Sequence, residues 1–223
     1  MGAPKNYAAR ILIITESVFS MDGDRAPLPE IVKLKKDFGA QLFLDEAHAV
    51  GVIGRNGRGL AFEENLSREV DVQMGTLSKA LGVSGGYICG SRNMTEWLIN
   101  RARSFIFSTA PPPALAAAAR AAVDFLSSKE GEKRRQRLRR NIDILAEELS
   151  IQPASAIVPW IIGEKATLAA AQNLQDNGFL VPAIRYPTVA KGAARLRITL
   201  SAAHEATQLR SLAGAIKRLP KRD

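Results

Sequence analysis

The chain reads as an α/β protein, with a mostly parallel sheet in its first half and a small α+β unit after it. Three observations predict this. The apolar runs Ile11-Leu-Ile-Ile-Thr15 and Leu42-Phe-Leu44 do not alternate with polar residues, as expected of parallel strands covered on both faces. Between them Leu28, Ile31 and Phe38 keep a helical stripe, so strand, helix and strand follow in order. Past Pro111-Pro-Pro113 the texture turns to long helix and then to a second mixture of strands and helices. A boundary near residue 125 divides a large domain, 1–125, from a small one, 126–223.

Each element has a local reason. The helix over 28–38 starts at Pro27 and Pro29, which suit a first turn, and stops at Gly39. A strand over 41–45 follows, then strands over 70–75, 86–90 and 105–108, the last two separated by a helix over 95–103. The helical region 114–149 weakens near 127–131, where serine and glycine interrupt it. Beyond it come a strand over 156–162, a helix over 165–177, strands over 179–184 and 195–200, and a helix over 203–219.

Composition excludes several classes. With 223 residues, 46% hydrophobic and 24% charged, the chain can bury a sizeable core. Cys89 is the single cysteine, so there is no internal disulfide and no thiolate metal cluster, and no metal site is expected. The most apolar stretch, 113–123, contains Arg120 and falls short of the roughly 18 residues of a membrane span. Residues 1–10 lack the apolar core of a secretory signal, which makes a cytoplasmic location the expectation. The net charge of +9 owes much to Lys133, Arg134, Arg135, Arg137, Arg139 and Arg140. These share a helix with the apolar stripe Leu138, Ile142, Leu145 and Leu149, and no aromatic residue interleaves with them for base stacking. A solvated helix face explains them better than nucleic acid or a membrane surface.

Ligands of open α/β sheets collect beyond the carboxyl ends of the strands. Three ends here are rich in chemistry: Thr15-Glu-Ser-Val-Phe-Ser-Met-Asp-Gly-Asp24, Asp45-Glu-Ala-His48, and Thr76-Leu-Ser-Lys79. An amine, a carboxylate, an imidazole and hydroxyls together suit pyridoxal phosphate. Lys79 stands between a strand and a glycine-rich stretch, where burial would favour a neutral, nucleophilic amine. Asp45 has a plainer reading as a helix cap, and His204 at a helix start reads as structural. Glycines 51, 54, 57 and 59 lack the order of a dinucleotide or phosphate loop and read as a tight surface loop. Gly82-Val-Ser84-Gly-Gly86 matches a nucleophile elbow in spelling, but a strand follows it instead of a helix, which weakens a serine-hydrolase reading.

At these residues the sequence resembles the α-oxoamine synthases, fold-type-I pyridoxal phosphate enzymes. The motifs are those three segments extended through Asp45-Glu-Ala-His-Ala-Val-Gly-Val-Ile-Gly54 and Gly75-Thr-Leu-Ser-Lys-Ala-Leu-Gly82, with Gly57-Arg-Gly59, Phe107-Ser-Thr109, Tyr186-Pro-Thr188 and Ala194-Arg-Leu-Arg-Ile-Thr-Leu-Ser-Ala-Ala-His204. The resemblance implies Lys79 as the Schiff-base lysine and catalytic base, and Asp45 on the pyridinium nitrogen. It implies Ser20 and His48 near the phenolic oxygen, His48 also as a catalytic residue, and Thr76 on the phosphate. Thr109 would reach the cofactor of the partner subunit, implying a homodimer with shared active sites. Thr188 and Arg197 would contact the amino-acid substrate, Arg197 through its carboxylate.

The implied reaction is a decarboxylative condensation of L-alanine with pimeloyl-CoA, or a pimeloyl carrier protein, to 8-amino-7-oxononanoate in biotin synthesis. Glycine C-acetyltransferase and other branches of the family are the alternatives. Family members carry further strands, a ring-stacking histidine and a phosphate cup ahead of the Thr15 motif. Residues 1–10 are too few to supply these, so the large sheet is expected to be incomplete, with uncovered apolar edges. Two readings stay open for such a chain: a non-catalytic fragment, or a half completed by a separate partner.

Overall fold

The computed structural model describes residues 10–219. The segment read above for a leader lies outside the described residues, save Arg10. The described residues up to Val18, with Ala26–Glu132, form one compact unit; Phe19–Arg25, with the residues from Lys133 onward, form another. The expected boundary near 125 falls late in one helix, whereas the units divide within the first turn of the next.

The first unit is built on the sheet order β1-β2-β3-β4, with β1 (Leu12–Glu16), β2 (Gln41–Asp45) and β3 (Val72–Thr76) parallel and β4 (Gly86–Gly90) antiparallel. Helix α1 (Leu28–Phe38) crosses from β1 to β2 and ends on Gly39, whose left-handed conformation (φ 59°) lets its N–H reach the carbonyls of Lys35 and Lys36. Leu42 and Leu44 are fully buried and pack with Leu28, Val32, Ala61 and Val70. The other face differs from expectation. On β1 Leu12 is 52% and Ile14 68% exposed, so among the described residues only one side of that strand is covered.

Helix α2 (Leu60–Glu63) follows the glycine-rich loop, and α3 (Arg92–Arg101) starts at Ser91, whose side chain accepts from Met94 N–H. The apolar run expected as a strand over 105–108 is instead helix α4 (Arg103–Ile106). Three apolar residues carry no periodicity, and the backbone finds its partners locally: Ile106 N–H donates to the Ala102 carbonyl at 2.9 Å and Phe107 N–H to that of Arg103 at 3.0 Å. Helices α5 (Pro113–Ser127) and α6 (Lys129–Leu149) meet at the anticipated serine break, Ser128.

The second unit carries a three-stranded antiparallel sheet, β5 (Ile157–Ile161), β7 (Arg195–Thr199) and β6 (Ala183–Ile184), in that order across the sheet. Pro159 is tolerated because β5 is an edge strand. The strand expected over 179–184 shortens to two residues, since Pro182 immediately before it has no N–H for the ladder. Helices α7 (Glu164–Asp176) and α8 (Ala206–Lys217) complete the unit. A capping box between Glu205 and Gln208 starts α8 at Ala206, later than the expected residue 203. No helix among the described residues is long and apolar enough to cross a membrane.

One ion pair locks α1 to the sheet. Lys35 Nζ lies 2.8 Å from Asp71 Oδ2, which also accepts from Leu42 N–H at 2.8 Å. Desolvation pushes the Asp71 carboxyl upward, but the Lys35 and Leu42 bonds outweigh it and hold the group below its ordinary value. A depressed folded value means the stabilisation is complete above the ordinary aspartate pKa and is lost as pH falls through the depressed one. Lys35→Met is expected to cost about 1 kcal/mol near neutral pH, with the deficit fading in acid; urea melts across pH 2 to 7 check it.

Candidate functional site

Alternation along β2 sends Leu42, Leu44 and the following Glu46 to the core and Phe43 and Asp45 to the opposite face. Asp45 sits at the strand tip, opposite Met74 of β3. Its Oδ1 accepts from Ala47 N–H at 2.7 Å, but a turn follows and not a helix, so the helix-cap interpretation fails and the oxygen closes a turn instead. Its Oδ2 has no hydrogen-bond partner among the described residues. The turn beyond it is closed by Ala49 and Val50 N–H donating to the Glu46 carbonyl, both at 2.9 Å. This turn carries His48, whose Nε2 lies 3.1 Å from Lys79 Nζ.

Lys79 stands on a loop closed by Leu77 N–H to the Gly85 carbonyl (2.9 Å) and Gly82 N–H to that of Lys79 (3.1 Å). Contrary to expectation, Lys79 is exposed: Leu81 takes the buried position of this loop. The His48 imidazole adjoins the amine. Thr76, the last residue of β3, has its hydroxyl 2.8 Å from that of Ser78 and donates to the Gly85 carbonyl at 3.2 Å. Thr109 is exposed between α4 and α5, and no hydrogen bond joins it to the Lys79–His48 pair.

The other expected residues belong to the second unit. Arg197 Nε donates to the Ser20 carbonyl at 2.7 Å and Nη1 to Thr199 Oγ1 at 3.0 Å, leaving Nη2 without a partner among the described residues. Burial lowers the Arg197 pKa from its ordinary value, yet a guanidinium stays charged. Thr188 is exposed, in the turn after the cis Tyr186–Pro187 bond, and no hydrogen bond joins it to Arg197. Ser20 and Arg197 are thus joined, through the backbone of one and the side chain of the other.

Two structural residues escaped the sequence reading. Arg195, nearly buried, pairs with Asp22 and donates to the Met21 carbonyl (3.2 Å), tying the segment Phe19–Arg25 to β7. Its signal was the alternation of Arg195 and Arg197 with Leu196 and Ile198 along the strand. Glu46 is 2% exposed; its Oε2 accepts from Leu60 N–H (3.0 Å) and its Oε1 from Ala61 N–H (2.9 Å). Burial raises its pKa above the ordinary value although both backbone bonds oppose this. The period of two from Leu42 through Leu44 was the signal that it points inward.

The glycine-rich loop also differs from the surface loop expected. Glycines 51, 54, 57 and 59 are all buried with positive φ, and a Cβ on Gly59 would lie 2.7 Å from Glu46 Oε2. His204 is structural as expected, its Nδ1 accepting from Ser201 N–H at 3.2 Å. Among the described residues no His, Cys, Asp and Glu cluster could hold a metal ion.

Residues 2–216 match the family model for aminotransferase class I and II. The 8-amino-7-oxononanoate synthase of Geobacter sulfurreducens is 46% identical over 221 residues, covering 96% of this chain and 56% of that protein. A solved structure of serine palmitoyltransferase with pyridoxal phosphate superposes with a TM-score of 0.87 at 32% identity, covering 92% of this chain and 54% of that one. The 8-amino-7-oxononanoate synthase of Francisella tularensis gives a TM-score of 0.80 at 29% identity, covering 95% and 63% respectively. The chain therefore spans about half the length of the curated relatives it matches.

The loop geometry makes a differential prediction. A Cβ on Gly51 (φ +82°) would meet Ala80 Cβ at 2.4 Å, whereas one on Gly82 (φ +66°) would meet nothing within 4 Å. Gly82→Ala should cost only the backbone strain of about 1–2 kcal/mol, and Gly51→Ala should cost about 1–3 kcal/mol more from overpacking. Paired urea denaturation curves measure the difference.

Proposed function

We propose, for a chain that belongs to the aminotransferase class I and II family, a pyridoxal phosphate-dependent C-acyltransferase site that condenses L-alanine with a pimeloyl thioester, on CoA or a carrier protein. The product would be 8-amino-7-oxononanoate, in cytoplasmic biotin synthesis. The observation that carries this reading is the 3.1 Å approach of Lys79 Nζ to His48 Nε2, beside a strand tip whose Asp45 keeps one oxygen unpartnered among the described residues.

The donor set fits the cofactor. The Lys79 amine suits an aldehyde, the Asp45 carboxylate suits a protonated ring nitrogen, and the Thr76 hydroxyl, with that of Ser78 alongside, suits a phosphate. When bound, pyridoxal phosphate supplies an aldehyde and an electron-withdrawing ring. His48 exchanges a proton with Lys79, so that the amine is available both as nucleophile and as the base that takes the Cα proton of the amino acid. Asp45, held at Oδ1 by Ala47 N–H, presents Oδ2 in a set direction.

Arg197 keeps Nη2 for the substrate carboxylate, and its two internal bonds hold the guanidinium plane. Thr188 lines the substrate, and the Ser20 hydroxyl serves the cofactor's phenolic oxygen. The carbon–carbon bond forms at Cα as the thioester C–S bond breaks and the thiolate leaves to take up a proton. The carboxylate of the amino acid departs as carbon dioxide, and Lys79 returns a proton to the electron pair left on Cα. In the homodimer of this reading, Thr109 reaches the cofactor of the partner subunit.

The fold match to serine palmitoyltransferase supports a second reading, another α-oxoamine synthase such as glycine C-acetyltransferase. Turnover with L-alanine against glycine and L-serine, each with pimeloyl-CoA and shorter or longer acyl-CoA thioesters, separates the two. The cofactor site itself is tested by adding pyridoxal phosphate, reducing with borohydride and mapping the modified peptide. A visible band before reduction and a pyridoxyl label on Lys79 after it, both lost in Lys79→Ala, are expected; labelling of other lysines alone, in a folded chain, overturns the site.

A further inference from the structure

Glu46 sits between Asp45 and the His48 turn, and its carboxylate is more buried than any other among the described residues. Four bonds fix it. Its N–H donates to the Met74 carbonyl at 2.8 Å, extending the β2–β3 pairing past Asp45, and its carbonyl closes the turn that carries His48. Its two carboxylate oxygens take the Leu60 and Ala61 N–H groups at 3.0 and 2.9 Å. Two oxygens, each facing one backbone donor, leave no room for a side chain that is half donor.

The far end of this clamp returns to the lysine. Gly59 N–H donates to the Ile53 carbonyl at 3.0 Å and Gly51 N–H to that of Gly57 at 2.8 Å, so the loop held by Glu46 is folded back on itself. Gly51 in turn lies against Ala80, the residue after Lys79, closely enough that a Cβ would stand 2.4 Å from the alanine methyl. Glu46 therefore supports both members of the pair through different groups: its backbone carbonyl closes the turn under His48, and its carboxylate holds the start of α2, which anchors the loop against which Ala80 rests.

We propose that Glu46 is a positioning residue that holds the His48 imidazole and the Lys79 amine in contact. It touches neither reacting atom and acts through the loop 51–59. This inference rests on Lys79 and His48 being the reactive pair, and its test does not require the cofactor.

Glu46→Gln keeps the side-chain volume but turns an NH2 group toward one of the two backbone donors. The test compares the acylation rate of Lys79 with that of the exposed Lys165, by peptide mass spectrometry, in the full chain and in Glu46→Gln. His48 ring nitrogen shifts are followed by NMR in both. The Lys79-to-Lys165 ratio is expected to change by about threefold or more, as for residues sharing one hydrogen-bonded network, and the His48 resonances to move. In a His48→Ala background, Glu46→Gln should alter the ratio far less.

An unchanged ratio and unchanged His48 resonances in a folded Glu46→Gln chain overturn the proposal. So does an equal effect in the His48→Ala background, which marks a merely structural role. Should Glu46→Gln fail to fold, Glu46→Asp keeps both acceptors with a shorter reach and is read by the same ratio. Absence of the cofactor band in the parent chain would sink the cofactor site while leaving this comparison standing.

Discussion

The first unit depends on the parallel pairing of β2 with β3. Because the strands run in the same direction and Asp45 stands opposite Met74, their carboxyl ends lie side by side, and the residues that follow each are delivered to one edge. The Glu46 N–H bond to the Met74 carbonyl carries the pairing past the last regular residue. Only then do the chains part, one into the His48 turn and the other into the Lys79 loop. A parallel ladder thus does what no local sequence preference could, since Asp45 and Lys79 are separated by more than thirty positions of chain.

Much of this was legible in the sequence because the signals were local. Proline before and glycine after the 28–38 stripe bounded α1 at the residues observed, and the serine break between α5 and α6 fell where its composition placed it. The polar clusters after apolar runs pointed to the strand tips, and the Lys79–His48 contact joins two of them. The misreadings arose where the answer depended on non-local partners. Phe105-Ile-Phe107 has strand composition but became α4, and among the described residues β1 lacks cover on the face bearing Ile14 although its composition implied cover on both.

Burial at the site was the least legible quantity. Lys79 looked enclosed because glycines surround it, yet glycine marks where backbones approach closely or turn sharply, which says nothing about what covers a neighbouring amine. The same confusion ran the other way at 51–59. There the glycines are buried because the loop packs on a carboxylate and on Ala80, contacts that need the fold to be known first. Glu46 was hidden in plain view: its neighbours Asp45 and His48 have obvious chemistry, whereas its own importance appears only when the inward alternation of β2 is followed one residue beyond the strand.

In the second unit, Arg197 meets position 20 through the main-chain oxygen, not through the serine hydroxyl. Any residue at that position offers the same oxygen. Evolution can therefore exchange the hydroxyl for another group, retuning whatever it faces, while the guanidinium keeps its aim; the two properties are separately heritable although they meet at a single residue.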